Sequence, residues 1–238
     1  METGKRGKKM ERPEIQLTLT NYFSREIFSW GVLFLWLILV PPKSAFAWEL
    51  AKEGKGITVN TRKIEGSGFK EYKAVMNIKT SLSSLVALVS DISAYPAWIH
   101  TCREGKLLKR ISPKEIYAYT INNAPWPVSD RDAIVHNTII QDYEDRSVII
   151  KIIGMPDYIP PKKGLVRVRM IDGHWRFTPV ENSTVQVTYQ VHNDPSGDLP
   201  PWLVNSMAVS QPYNTLVNMQ KMVLLPKYRD AEYEFIKE

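Results

Sequence analysis

Residues 184–193 read Thr-Val-Gln-Val-Thr-Tyr-Gln-Val-His-Asn, and this alternation decides the fold. Val185, Val187, Tyr189 and Val191 face one way; Thr184, Gln186, Thr188, Gln190 and His192 face the other. Successive side chains of a strand point to opposite faces, so this strand has one buried face and one wet face, the pattern of an antiparallel sheet. Upstream, strands are predicted over 104–111, 115–123, 131–141, 147–154 and 165–179, punctuated by Ser112-Pro113, Asp142 to Arg146 and Glu181-Asn182. Further back, 57–64 and 69–78 form a hairpin around Glu65-Gly66-Ser67-Gly68. Between that hairpin and the later strands, apolar residues at 82, 85, 86, 88, 89 and 92 predict a helix with Ser81 as its N-cap, broken by Ala94-Tyr95-Pro96-Ala97-Trp98. Downstream, 200–225 places Leu203, Met207, Leu216, Met219 and Val223 on one stripe of a long helix, with a bend expected at Pro212. The order predicts an α+β protein in which a curved antiparallel sheet wraps around the C-terminal helix, since each must bury an apolar face.

Composition narrows the function. The 238 residues are 44% hydrophobic and 24% charged, a globular balance that excludes disordered and collagen-like chains. Cys102 is the single cysteine, which excludes an intrachain disulfide and a multi-cysteine zinc site. His100, His136, His174 and His192 have no metal-ligand spacing, and no phosphate-binding glycine loop or hydrolase elbow is present, so no metal and no cofactor is expected. The net charge of +6 is shared between the first 47 residues, with seven basic against four acidic side chains, and the rest of the chain. A nucleic-acid binder would show a dense basic stripe instead.

Residues 27–40, Ile-Phe-Ser-Trp-Gly-Val-Leu-Phe-Leu-Trp-Leu-Ile-Leu-Val, form a fourteen-residue uncharged run. A span needs about 20 residues, so the run fits the apolar region of a signal peptide, with Ala45-Phe46-Ala47 as its small-residue cleavage site. Residues 1–47 are therefore expected to be a signal peptide, or alternatively an N-terminal membrane anchor. Residues 48–238 are expected to form one exported domain, periplasmic or at the outer face of the membrane, with its mature start at Trp48.

The run Pro125 to Asp132, PWPVSDRD, resembles a signature of START domains, the steroidogenic-acute-regulatory-protein-related lipid-transfer family. Four more pieces resemble the same family in order: DISAYPAW at 91–98, GHWRFTP at 173–179, VTYQVHND at 187–194 and GDLPPWLVN at 197–205. The resemblance is greatest to bacterial secreted members. It implies a helix-grip fold with an internal hydrophobic cavity that holds one lipid or sterol-like molecule. It also implies that a residue six along the strand from Arg131 faces that cavity; here it is Asn137, where animal members have arginine.

The apolar strand faces nominate Met76, Ile150, Ile152, Val187 and Tyr189 as cavity walls, joined by Leu203 and Met207 from the helix. The proline-rich 155–164 loop is expected to gate the cavity through an apolar tip, Tyr158 and Ile159, beside Lys162 and Lys163. Such a pair suits an anionic membrane surface. Trp126 is expected in the core, with an Asp–Arg pair beside it bonding backbone. Arg167 and Arg169 are expected to meet acidic residues on the outer sheet face. The reading is a monomeric, non-enzymatic protein that binds a lipid and carries or senses it at a membrane. The alternative is a polyketide cyclase or dehydrase-like enzyme using the same cavity, for which His136, Asp132 and Tyr189 are the candidate acid–base groups.

Overall fold

The alternating segment forms the last strand of a ten-stranded sheet. The computed structural model describes residues 47–197 and 199–238, so the expected signal or anchor segment lies outside the described residues apart from Ala47. The strands are β1 (Glu49–Gly54), β2 (Ile57–Arg62), β3 (Glu71–Lys79), β4 (Cys102–Ser112), β5 (Glu115–Asn122), β6 (Arg131–Gln141), β7 (Val148–Gly154), β8 (Val166–Arg167), β9 (Met170–Val180) and β10 (Thr184–Asp194). They run in the order β1-β2-β3-β10-β9-β7-β6-β5-β4, antiparallel throughout, with β8 added parallel to β6. Helices α1 (Leu82–Ser90), α2 (Tyr95–Trp98), α3 (Pro201–Met222) and α4 (Pro226–Arg229) complete the fold, with a 3₁₀ turn at Ile92–Ala94.

β10 lies between β3 and β9, with Val187 opposite both Met76 and Phe177, and these buried side chains build the core. α3 packs across β2 and β3 and buries Val204, Ala208, Leu216 and Met219. It runs unbroken through Pro212, which lies buried inside the helix. α1 is capped by Ser81 as expected: the Ser81 hydroxyl accepts from the Ser84 amide at 3.1 Å. Its first two amides, Leu82 and Ser83, donate to the Glu238 carboxylate at 2.8 and 2.9 Å. That distant side chain satisfies donors that a helix start leaves free.

Three features differ from the sequence expectation. β1 is an extra edge strand; its charged, exposed residues show no apolar alternation, and it is held to β2 through a tight turn at Lys55 and Gly56, both with positive φ. The 165–179 segment is two strands, because after Arg167 the chain leaves β6 and crosses to β7 and β10: the Arg169 amide turns instead to the Ser196 hydroxyl. The 82–92 helix ends at Ser90 and continues as the 3₁₀ turn and α2.

β5 and β6 are buried on both faces. The inner face meets the core, and on the outer face Tyr119, Ile121 and Ile134 form a second apolar cluster under Met155, Ile159 and Leu165. Arg167 belongs to this outer layer and meets an acidic residue there as expected, but the pair is buried rather than exposed to solvent. It is 5% exposed and forks onto the fully buried Asp132, with Nε and Nη2 each 2.9 Å from a carboxylate oxygen. Tyr119 donates to the same carboxylate at 3.1 Å. The remaining guanidinium donors reach the carbonyls of Pro156, Ile159 and Pro160. Arg169 does pair outside, with Asp157 at 3.1 Å.

Candidate functional site

Each element that lines the interior does so at its own period. β6 contributes Arg131, Ala133, Val135 and Asn137, every second residue; β10 contributes Tyr189, Val191 and Asn193; and β5 contributes Thr120 and Asn122. α3 contributes Val204, Met207, Ala208 and Gln211, the i, i+3, i+4, i+7 set of one helix face. Together with Tyr72, Ile152, Ile171 and Trp175 they enclose a partly open cavity of about 180 Å³ between sheet and helix.

The cavity is graded. In the β5–β6 register Asn122 lies opposite Arg131, Thr120 opposite Ala133, and Ile116 opposite Asn137. One end is therefore polar, with Thr120, Asn122, Asn123 and Arg131, and is bounded by Ala124 and Pro125 on one side and Pro195 and Leu199 on the other. Ala133, Val135, Ile152, Val191 and Ala208 make an apolar middle. Arg131 and Asn137 are six residues apart on one strand, about 20 Å at the ordinary rise. The Asn137 amide is buried with its Oδ1 unpartnered, and it also borders a second, water-sized cavity of about 10 Å³ beside Ile150.

Arg131 is buried at 6% exposure. Nη1 donates to the Ser129 carbonyl and Nη2 to that of Ser196 at 3.4 Å, while Nε has no hydrogen-bond partner. Burial lowers its pKa from the ordinary arginine value, and the nearby Asp130 charge opposes that shift. Asp130 itself is engaged by Arg103 and by the Ala124 amide, so the acidic residue of the motif does bond backbone.

Of the nominated wall residues, Ile152, Tyr189 and Met207 line the cavity. Met76, Ile150 and Val187 are packed in the core beyond its end, and Leu203 is half-buried on the helix flank. The 155–164 loop does not reach the cavity. Tyr158 stacks on Tyr117 at 4.4 Å, Ile159 packs in the outer cluster, and the Lys162 ammonium sits 4.2 Å above the Tyr119 ring. Lys163 is exposed on the same loop. Ile159 is thus folded down onto the sheet as apolar cover for β5 and β6, while Tyr158, stacked on Tyr117, stays exposed. Trp126 corrects the core expectation: it is 93% exposed. Its flanking Pro125 closes a turn through the Val128 amide, and the indole projects from it. Trp202, at the start of α3, is 72% exposed.

The candidate acid–base groups are scattered. Asp132 and His136 lie on the outer side of β6, Asp132 closed by Arg167 and His136 bonded to Glu115 at 2.8 Å. Tyr189 faces inward, stacked on Trp175 at 3.8 Å, and burial raises its pKa. The sequence does not single out Arg131, Trp175, or Val204, Ala208 and Gln211 of α3 as wall residues; of the helix set it nominates Met207 alone. The signal was available in the two-residue stride from Arg131 to Asn137.

The sequence model of the START domain family matches residues 43–225. An uncharacterized protein of Pseudomonas aeruginosa is 38% identical over 173 residues, covering 73% of this chain and 85% of its own. The rat phosphatidylcholine transfer protein is 25% identical over 186 residues, covering 76% of this chain and 86% of its own. The crystal structure of a STAR-related lipid transfer protein fragment from Xanthomonas axonopodis superposes with a TM-score of 0.70 at 35% identity, covering 74% of this chain and 98% of that one. Human StAR-related lipid transfer protein 5 shares the fold, with a TM-score of 0.67 at 18% identity, over 87% of this chain and 97% of that one.

Proposed function

The chain belongs to the START domain family, whose members bind lipids and other hydrophobic ligands, and from that premise we propose that it holds one slender lipid or similar amphiphile in the cavity and carries it at a membrane surface. The observation that carries this reading is the graded wall: a polar end, an apolar middle lying between Arg131 and Asn137, which are themselves about 20 Å apart, and no acid–base pair aimed inward among the described residues. Each CH₂ taken from water into such a space contributes about 0.8 kcal/mol, so retention needs no catalytic apparatus. At about 180 Å³ the cavity is of the order of the ~150 Å³ space that admits a benzene-sized guest, so a longer ligand enters by displacement of the rim.

The rim offers the membrane contact. Trp126 and Trp202 project from the two segments beside the polar end of the cavity, and indoles favour the boundary between headgroups and chains. These segments, rather than the 155–164 loop, form the proposed door. The domain is proposed to act outside the cytoplasm, after removal of residues 1–47.

Native mass spectrometry, with lipid extraction, of the protein purified from its own compartment tests the reading. The expected result is a mass increment corresponding to one co-purifying lipid. Recovery of ligand-free protein that also takes up no added lipid would reject it.

A further inference from the structure

We propose that Arg131 is an oxyanion site at the polar end of the cavity, and that the ligand it selects is an amphiphile with an anionic carboxylate or phosphate head group. The site rests on the lipid reading and adds to it the sign of the head-group charge.

Four observations converge. Arg131 supplies a charged side chain to a wall otherwise made, among the described residues, of neutral groups. Its guanidinium is buried, and among the described residues no carboxylate lies within 4.0 Å of it; Arg62, Arg103, Arg167, Arg169, Arg176 and Arg229 each have such a partner, and Arg110 and Arg146, which form no such ion pair either, are exposed. Two of its five donors are held by the Ser129 and Ser196 carbonyls, and Nε is buried with no acceptor. A buried charge of this kind is costly unless it is paired, and a planar guanidinium matches the two oxygens of a carboxylate or phosphate. Lastly, Asn122 and Thr120, joined by a 3.4 Å hydrogen bond, lie on the neighbouring strand and offer neutral polar groups to the rest of a head group. The apolar middle then receives the chain, directed toward Asn137.

The test compares oleate with oleyl alcohol, which share a chain and differ in the charged head. Each displaces a fluorescent single-chain probe from the full chain and from Arg131→Gln and Arg131→Lys at neutral pH. The unaltered chain is expected to favour oleate by about tenfold or more, the scale of a charge-assisted hydrogen bond. Arg131→Gln is expected to bring the two within about threefold, and Arg131→Lys to retain part of the preference. Equal binding of the two ligands by the unaltered chain overturns the oxyanion site and leaves the lipid reading standing. This comparison decides the question even where Arg131→Gln fails to fold. An oleate preference unchanged in a folded Arg131→Gln also overturns it. Binding of neither ligand overturns the lipid reading and the site with it. Inorganic phosphate at millimolar concentration is expected to leave oleate bound; displacement by phosphate alone overturns the head-group assignment in favour of a free anion.

Discussion

At the scale of single residues, burial decides behaviour that residue type alone does not predict. Arg167 meets an acidic residue on the outer sheet face, as a charged strand residue is expected to, but it does so out of water: its partner is Asp132, 35 positions away in sequence, whose carboxylate is buried on the adjacent strand and needs a partner. Nothing local in the sequence signals such a pairing. Removing one member of a buried pair strands the other, so Arg167→Leu is expected to lower stability by about 3–5 kcal/mol in urea unfolding, and Arg167→Leu with Asp132→Leu by less. A double variant no more stable than the single one would contradict this account. Cys102 follows the same rule. Burial pushes its thiol up to about 11, with the neighbouring Glu104 charge adding to the rise and a backbone hydrogen bond at Glu104 opposing it. At pH 8 roughly one thiol in a thousand is ionised, so labelling by a disulfide reagent is expected to be at least about a hundredfold slower than in denaturant. Burst labelling of the folded protein would disprove the burial.

Elements carry the periodicities, and most of those were legible. The alternation of β10 and the lower half of the helical stripe, Leu216, Met219 and Val223, are legible because a regular apolar face imposes a regular sequence; nearer the helix start the buried face turns to Val204 and Ala208, leaving Leu203 and Met207 half-buried. β1 escaped because an edge strand exposed on both faces needs no apolar pattern, only a partner and a turn. The wall residues were harder. Along the inner face of β10, Val187 is packed core while Tyr189 lines the cavity, two residues apart and of the same apolar class. Which of them borders the cavity depends on where α3 lies, and a strand's own sequence does not encode that. Ala208 marks the point on α3 where a small side chain leaves room. Ala208→Phe is expected to reduce uptake of a single-chain lipid by about tenfold or more while the protein stays folded, since the added ring has space to enter. Undiminished uptake in that variant would move the ligand elsewhere.

Taken as a whole molecule, the fold was legible from the order of its elements and from five short motifs, and the exposed indoles were not. Trp126 and Trp202 look like core residues in any composition-based reading, and their exposure follows from the proline-bounded turn and the helix start that hold them. Trp126→Ala with Trp202→Ala is expected to slow lipid transfer between vesicles severalfold, with stability changed by no more than about 0.5 kcal/mol each, as for exposed sites in general. An unaltered transfer rate in the folded double variant would remove the indoles from the membrane contact. N-terminal sequencing of the native protein is expected to begin at Trp48; retention of residues 27–40 would make that segment an anchor. The cap on α1 has a consequence in time. Its two bonds to Glu238 join positions 156 and 155 residues apart. A ribosome adding about 5–20 residues per second reaches the cap roughly 8–30 s after it has made the helix. For that interval the helix lacks its closing carboxylate, and for the first two thirds of it β3 also lacks the partner strand β10, so the nascent polypeptide stays pliable.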